Sequence, residues 1–269
     1  MNWLQALILG LVQGLTEFLP VSSSGHLAIA KNLMGIDIPQ DLSFEVTVHC
    51  ATVLSTIIVF RKEIMKLLAG LFKFRYNDET DYILKICVSM IPVFIVGMLL
   101  KDKVEAAFGS MLVVGLALVV TGMLLALSEL LPAMMKKTEG KKEARSGISF
   151  LQAFTVGIGQ ALAVIPGLSR SGTTIATGLL TGVRKEVVAQ FSFLMVLVPI
   201  LGEMFLDIVG GDLASSATGA LPLLIGFAAA FISGLFACRW MIAIVKKARL
   251  RWFAIYCAIV GLVVIFSTF

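Results

Sequence analysis

Two short stretches hold residue types that do chemistry inside sequence that is otherwise apolar. The first, Gln13-Gly14-Leu15-Thr16-Glu17-Phe18-Leu19-Pro20-Val21-Ser22-Ser23-Ser24-Gly25-His26, gathers an acid, a serine cluster and one of only two histidines. The second is Pro166-Gly167-Leu168-Ser169-Arg170-Ser171-Gly172-Thr173-Thr174, where Arg170 is the only charge between Arg145 and Arg184. An ionisable group at membrane depth costs at least ~2.5 kcal/mol on insertion scales, so it faces a cavity or a partner. Arginine presents a planar fork of donors suited to phosphate oxygens. The hydroxyls and glycines around Arg170 mark the start of a short helix, whose free N–H groups attract anions. Arg170 with Ser169, Ser171 and Thr174 therefore reads as a phosphate cradle. The structural alternative is a buried ion pair between Arg170 and Glu17, but such a pair needs none of the surrounding hydroxyls.

Gln13 and Glu17 lie four apart, on one face of a helix. An acid there can hold a divalent cation jointly with substrate phosphate oxygens, or orient His26. His26 follows Ser22-Ser23-Ser24-Gly25 as a base follows its nucleophile. Either a serine attacks phosphorus with His26 as base or His26 attacks directly, and the spacing does not choose. His49 and Glu45 share a helix face four apart and read as structural, since no other motif surrounds them. Glu203 and Asp207 fall at the outer end of a span and Glu129 near a boundary, where each meets water.

The elements that must position these groups follow from composition. With 58% hydrophobic and 14% charged residues, against roughly 25% charged in a soluble domain, and a mean hydropathy of +0.97, the 269-residue chain reads as a single all-α integral membrane domain. The net charge of +5 does not signal nucleic acid, because 14 of the 22 basic residues lie in three short runs between apolar segments. The first basic residue is Lys31, so the start lacks the positive region of a cleaved signal peptide, and a retained N-terminus is expected. Cys50, Cys87, Cys238 and Cys257 show no CxxC spacing and read as packing residues.

A spanning helix needs about 20 mostly apolar residues. Six transmembrane helices are predicted, over roughly 42–60, 82–100, 110–131, 187–209, 220–245 and 252–269. Residues 2–36 and 149–183 are instead apolar segments interrupted by Pro, Gly and Ser, and each is predicted to form a re-entrant helical hairpin. An offset of 147 pairs Leu4-Gln5-Ala6 with Leu151-Gln152-Ala153, Gln13 with Gln160, and Ser22, Ser24 and Gly25 with Ser169, Ser171 and Gly172. Gly10, Leu15, Leu33, Gly35 and Phe44 recur in the same register, so the hairpins are related. A hairpin followed by three spans turns its copy over. Residues 1–131 and 148–269 thus form inverted-topology repeats, which bring polar sites together near the midplane.

The basic runs in 61–81, 132–147 and 246–251 mark cytoplasmic connections, which leaves both termini and the alternate connections outside. The first hairpin then enters from outside, the second from the cytoplasm.

The QxxxE of Gln13 and Glu17, the PVSSSGH of 20–26 and the PGLSRSGTT of 166–174 resemble the signature motifs of the bacterial undecaprenyl-diphosphate phosphatase family, of the bacitracin-resistance type. Hydropathy, length and repeat match along essentially the whole chain. The resemblance implies a bacterial cytoplasmic (inner) membrane enzyme that hydrolyses undecaprenyl diphosphate to the monophosphate and inorganic phosphate, recycling a cell-wall lipid carrier. It implies a divalent cation, Mg2+ or Ca2+, and action toward the outer leaflet. By motif position the expected site is Glu17, Ser23, His26, Ser169, Arg170 and Thr174, with Gln13 where other members carry Glu. Ser22, Ser24 and Ser171 join the phosphate contacts, and Glu17 with Gln13 is the expected cation site. The partners are the polyprenyl diphosphate and membrane lipids, with no nucleic acid. A homo-oligomer is compatible, and nothing in the sequence selects an assembly state. The rival reading is a polyprenyl-phosphate flippase or anion-coupled transporter, because inverted repeats with broken helices are a transporter architecture. Such a protein needs an anion site but no nucleophile or base.

Overall fold

The computed structural model describes residues 1–36, 42–100, 109–134, 145–210, 218–247 and 249–269, and every regular element among them is helical. Glu203 and Asp207 have side chains outside the described set.

The first broken segment is α1 (Trp3–Thr16) and α2 (Ser23–Leu33), and the second is α7 (Phe150–Leu162) and α8 (Arg170–Leu180). Both start with a capping box, in which a polar N-cap side chain and a glutamine three residues on satisfy one another's free N–H groups. Asn2 with Gln5 does this in α1, at 2.8 and 2.9 Å, and Ser149 with Gln152 does it in α7, at 3.2 and 2.8 Å. Ser22 and Ser169 cap α2 and α8, each accepting the N–H of the glycine three residues on. Gly35 (φ +63°) and Gly182 (φ +85°) follow the two second helices with a left-handed backbone that glycine adopts without strain. Caps, breaks and stops therefore recur at the same offset of 147 as the sequence identities.

Between and after these units lie α3 (Leu42–Val59), α4 (Arg61–Leu71), α5 (Asp78–Leu99), α6 (Met111–Met134), α9 (Lys185–Met195), α10 (Leu197–Gly210), α11 (Ala220–Lys247) and α12 (Arg251–Ser267). Four helices among the described residues are long and apolar enough to cross a membrane: Asp78–Leu99, Met111–Leu131, Lys185–Gly202 and Ala220–Met241. A fifth crossing results if Ser43–Val59 and Arg61–Leu71, bent by 74° where the basic run begins, count as one. The sixth expected span is α12, whose 17 residues reach about 25 Å at 1.5 Å per residue, a little short of the ~30 Å hydrocarbon core. Large apolar side chains point outward from these helices, such as Phe94, Leu224 and Phe266, each about two-thirds or more exposed. This is the surface of a multi-pass membrane protein.

Small residues set the packing, because without a hydrophobic force between helices in lipid, close backbone approach supplies the attraction. A side chain at Gly10 or Gly14 of α1 would run into the backbone of α11 at Gly226 and Ala230. One at Gly157 of α7 would strike the backbone of α5 at Ser89, and Gly115 and Gly122 of α6 do the same for α12. Each hairpin's first helix thus leans on a long helix from the other half of the chain. Both breaks are thereby carried to one place.

Candidate active site

Glu17 follows the last turn of α1, where its N–H still bonds to the carbonyl of Gln13 at 2.9 Å. The chain then reverses through Pro20 and enters α2 at Ser22, which holds φ +72°. For a residue with a Cβ this left-handed backbone costs roughly 1–2 kcal/mol. The capping bond from Gly25 N–H to Ser22 Oγ (3.2 Å) and the bond from His26 Nδ1 to the Ser22 carbonyl (2.8 Å) hold it there. The reward is direction: Ser23, at the first position of α2, donates its hydroxyl to Glu17 Oε2 at 2.5 Å. The same oxygen accepts Gln13 Nε2 at 2.9 Å and lies 3.9 Å from His49 Nε2.

The second break is built alike and locks onto the first. Gly167 N–H reaches Ser24 Oγ at 3.4 Å, and Ser171 Oγ donates to the Leu19 carbonyl at 3.1 Å. Thr121 of α6 fixes the turn by accepting the N–H of Ser169 at 3.0 Å. Arg170 opens α8.

Between the breaks lies a small polar cavity, with Glu17, Ser22, Ser23, Ser24 and His49 on one side and Ser169, Arg170 and Ser171 on the other. The ion pairs within 4 Å among the described residues are Lys31 with Glu45, His49 with Glu17, Lys66 with Glu79 and Lys85 with Asp81. Arg170 is in none of them. The buried Glu17–Arg170 pair is therefore not formed: acid and cation face one another across a space instead of neutralising in contact. Both α2 and α8 start in the cavity wall, so their first-turn N–H groups, which have no acceptor within the helix, add to the attraction for an anion.

The expected site residues do not all meet there. Glu17, Ser22, Ser23, Ser24, Ser169, Arg170 and Ser171 do. Thr174 sits one turn behind Arg170, buried, with its hydroxyl 2.5 Å from Ser192 Oγ. His26 turns its ring away to stack on Tyr256 of α12, with planes 10° apart and Nε2 2.7 Å from the tyrosine oxygen. With Nδ1–H donated to the Ser22 carbonyl, Nε2 is the acceptor of the Tyr256 hydroxyl, so its lone pair is engaged outside the serine cluster. Ser23 and His26 are three apart on α2, yet one is held by Glu17 and the other by Tyr256.

His49, which the sequence assigns to structure, borders the cavity. Its Nδ1 donates to the Glu45 carbonyl at 2.8 Å, which leaves Nε2 toward Glu17. Glu45 itself turns elsewhere, to Lys31 Nζ at 2.7 Å, and Lys31 is fully buried. This pair ties α2 to α3. The only sequence signal for His49 was its polarity in an apolar helix. Glu129 accepts the N–H of Arg251 at 2.6 Å and serves as a helix cap.

Among the described residues no group of three or more His, Cys, Asp or Glu side chains gathers as a metal site. The oxygen set that is present, the Glu17 carboxylate and the Gln13 amide, suits a hard cation that takes its remaining ligands from phosphate and water. Gln13 Oε1 is buried without a hydrogen-bond partner, an acceptor left for such a purpose. A second, smaller and more apolar recess adjoins the first and shares Glu17, Arg170 and Ser171 with it.

Comparison with known proteins adds an independent line. Residues 6–263 match the family model described as bacitracin resistance protein BacA. An undecaprenyl-diphosphatase of Parabacteroides distasonis is 55% identical over 272 residues, covering 100% of this chain and 99% of the relative. One of Bacteroides fragilis is 54% identical over 98% of both chains. One of Methanobrevibacter smithii is 38% identical, over 98% of this chain and 97% of its own.

Proposed function

This chain belongs to the bacitracin resistance protein BacA family, and we propose that it hydrolyses undecaprenyl diphosphate to undecaprenyl phosphate and inorganic phosphate. The observation that carries this reading is the polar cavity, in which a serine bonded to a carboxylate faces an arginine at a helix N-terminus. A flippase or transporter needs the arginine but not the serine and its acid, and the relatives named above are diphosphatases.

Ser23 is the nucleophile of this reading. Its hydroxyl already donates to Glu17 Oε2, so Glu17 takes the proton as Ser23 Oγ attacks the terminal phosphorus. The bond from that phosphorus to the bridging oxygen breaks, and undecaprenyl phosphate leaves with the oxygen. The departing undecaprenyl phosphate takes the proton from Glu17, which then deprotonates the water that attacks the phosphoserine; the bond from phosphorus to Ser23 Oγ breaks, Ser23 recovers its proton from Glu17, and inorganic phosphate leaves. Phosphoryl transfer is mainly positioning and stabilisation of charge on the equatorial oxygens. Arg170, Ser169, Ser171 and the two helix N-termini surround the place where those oxygens fall. Gln13 and His49 hold Glu17 from behind. His26 and Thr174 act one step back, His26 by fixing Ser22 and Thr174 by anchoring α8.

A divalent cation, Mg2+ or Ca2+, belongs with Glu17 and the Oε1 of Gln13, where it would neutralise phosphate charge. The hairpins, each followed by three crossings, form inverted repeats in the cytoplasmic membrane, with both termini and the site toward the outer leaflet. Hydrolysis there returns the lipid carrier to cell-wall synthesis and lowers the pool of diphosphate that bacitracin targets.

The test is phosphate release from undecaprenyl diphosphate by purified protein in detergent, with chelator and added Mg2+ or Ca2+. Metal-dependent release is expected. Movement of the lipid across liposomes with no phosphate released would remove the hydrolase reading.

A further inference from the structure

His26 belongs to a signature motif, yet its ring lies outside the polar cavity and against α12. What it does there is set by its two nitrogens. Nδ1 stands 2.8 Å from the Ser22 carbonyl, an oxygen that can only accept, so Nδ1 carries a proton. In the neutral ring Nε2 is then bare, and the Tyr256 hydroxyl at 2.7 Å is the donor that meets it. The tautomer that bonds to Ser22 is thus the one that Tyr256 favours. The other tautomer would set the lone pair of Nδ1 against those of the carbonyl.

Ser22 is the residue that needs such a hold. It turns the chain into α2 with φ +72°, and the next residue is Ser23, whose hydroxyl is aimed at Glu17. Helix α12 grips this turn twice. Cys257, next to Tyr256, directs its thiol to the Pro20 carbonyl at 3.6 Å, so consecutive residues of one helix meet both ends of the reversal. In turn α12 is packed on α6, where a side chain at Gly115 or Gly122 would strike its backbone. Thr121 of α6 holds the second break through the N–H of Ser169. The α6–α12 pair therefore fastens one break on each helix. A tyrosine near the end of a span needs no partner to be at home there, because its ring suits the membrane interface. Tyr256 instead engages both parts of its side chain with His26, the ring stacked with planes 10° apart and the hydroxyl on Nε2.

We propose that Tyr256 is a positioning residue for the reaction: it fixes the tautomer of His26, His26 fixes the Ser22 backbone, and that backbone aims Ser23. Tyr256 does not line the cavity and acts only through His26. The part of this relay in turnover rests on the hydrolase reading, whereas the tautomer does not.

The test combines kinetics with nitrogen NMR on the full-length protein in detergent. Tyr256→Phe keeps the ring and removes the hydroxyl. It is expected to lower kcat on undecaprenyl diphosphate about tenfold and to leave KM within about twofold, because Arg170 and the second break are untouched. With His26→Ala already present, Tyr256→Phe should change kcat by less than about twofold, since nothing is left to position. A merely structural tyrosine would lower both backgrounds alike. The chain has two histidines, so isotopic labelling of their ring nitrogens gives two sets of signals, and His26→Ala identifies one of them. The His26 proton is expected on Nδ1 in the wild type and on Nε2 in Tyr256→Phe. A wild-type proton on Nε2, a tautomer unchanged in Tyr256→Phe, wild-type kcat in that variant, or an equal loss in both backgrounds would overturn the proposal. A tautomer change in a protein that releases no phosphate would keep the link from Tyr256 to His26 and remove the hydrolase reading.

Discussion

Glu17 Oε2 receives Ser23 and Gln13 and has His49 at 3.9 Å, while Arg170 makes no ion pair among the described residues, and this asymmetry orders the roles in the cavity. An acid with two donors already bound is a fixed base, whereas a cation without an ion-pair partner can take a phosphate. Arg170→Ala is expected to lower kcat on undecaprenyl diphosphate by about 10²–10³, the typical effect of removing a donor to developing charge. Arg170→Lys should recover little of it, because an ammonium cannot bind two oxygens as a planar fork. His49→Ala is expected to cost about tenfold in kcat, equivalent to ~1.4 kcal/mol of transition-state stabilisation, with unchanged extraction and thermal stability. Wild-type turnover in His49→Ala would return that residue to the structural role the sequence assigns it.

At the scale of elements, the hairpins work because their neighbours hold them. Lys31, with no exposure, ties the end of α2 to Glu45 on α3. Breaking a buried pair by removing one partner costs roughly 3–5 kcal/mol. Glu45→Ala should therefore lower the melting temperature of the detergent-solubilised protein markedly, whereas Lys66→Ala, from an exposed pair, should not. Glycine does the corresponding work in the packing of α1 and α7. Gly157→Leu forces α7 away from Ser89, and the expected result is a loss of folded protein greater than the loss from Ala161→Leu. Equal yields of the two variants would contradict the close approach.

At the scale of the molecule, the two halves exchange their first helices, α1 onto α11 and α7 onto α5, and this exchange makes one cavity from two breaks. The proposed inverted arrangement predicts labelling from opposite sides. In a background lacking the four native cysteines, Lys73→Cys should react with an impermeant thiol reagent only after the cytoplasmic side is opened, and Phe269→Cys should react in intact cells. Reaction of both from one side would exclude the odd number of crossings the repeats require. The four helices long and apolar enough to cross a membrane were legible as apolar runs, although the sequence did not reveal the 74° bend after Val59. That bend falls where the basic run starts and is set within tertiary packing.

By itself the sequence determined what depends on residues within a turn or two of one another: apolar runs, breaks at Pro20 and Pro166-Gly167, and a copy of the first broken segment at an offset of 147. It also singled out Glu17, the serines and Arg170, because polar groups in an apolar run need a use. Only the tertiary structure decided that Glu17 and Arg170 stand apart, that His26 leaves the serines for Tyr256, and that His49 joins them. His26 and Tyr256 are 230 residues apart and Ser24 and Gly167 are 143 apart, so the contacts depend on which helices approach closely. That choice is made by glycines meeting a distant backbone, and no local period in the sequence encodes the partner.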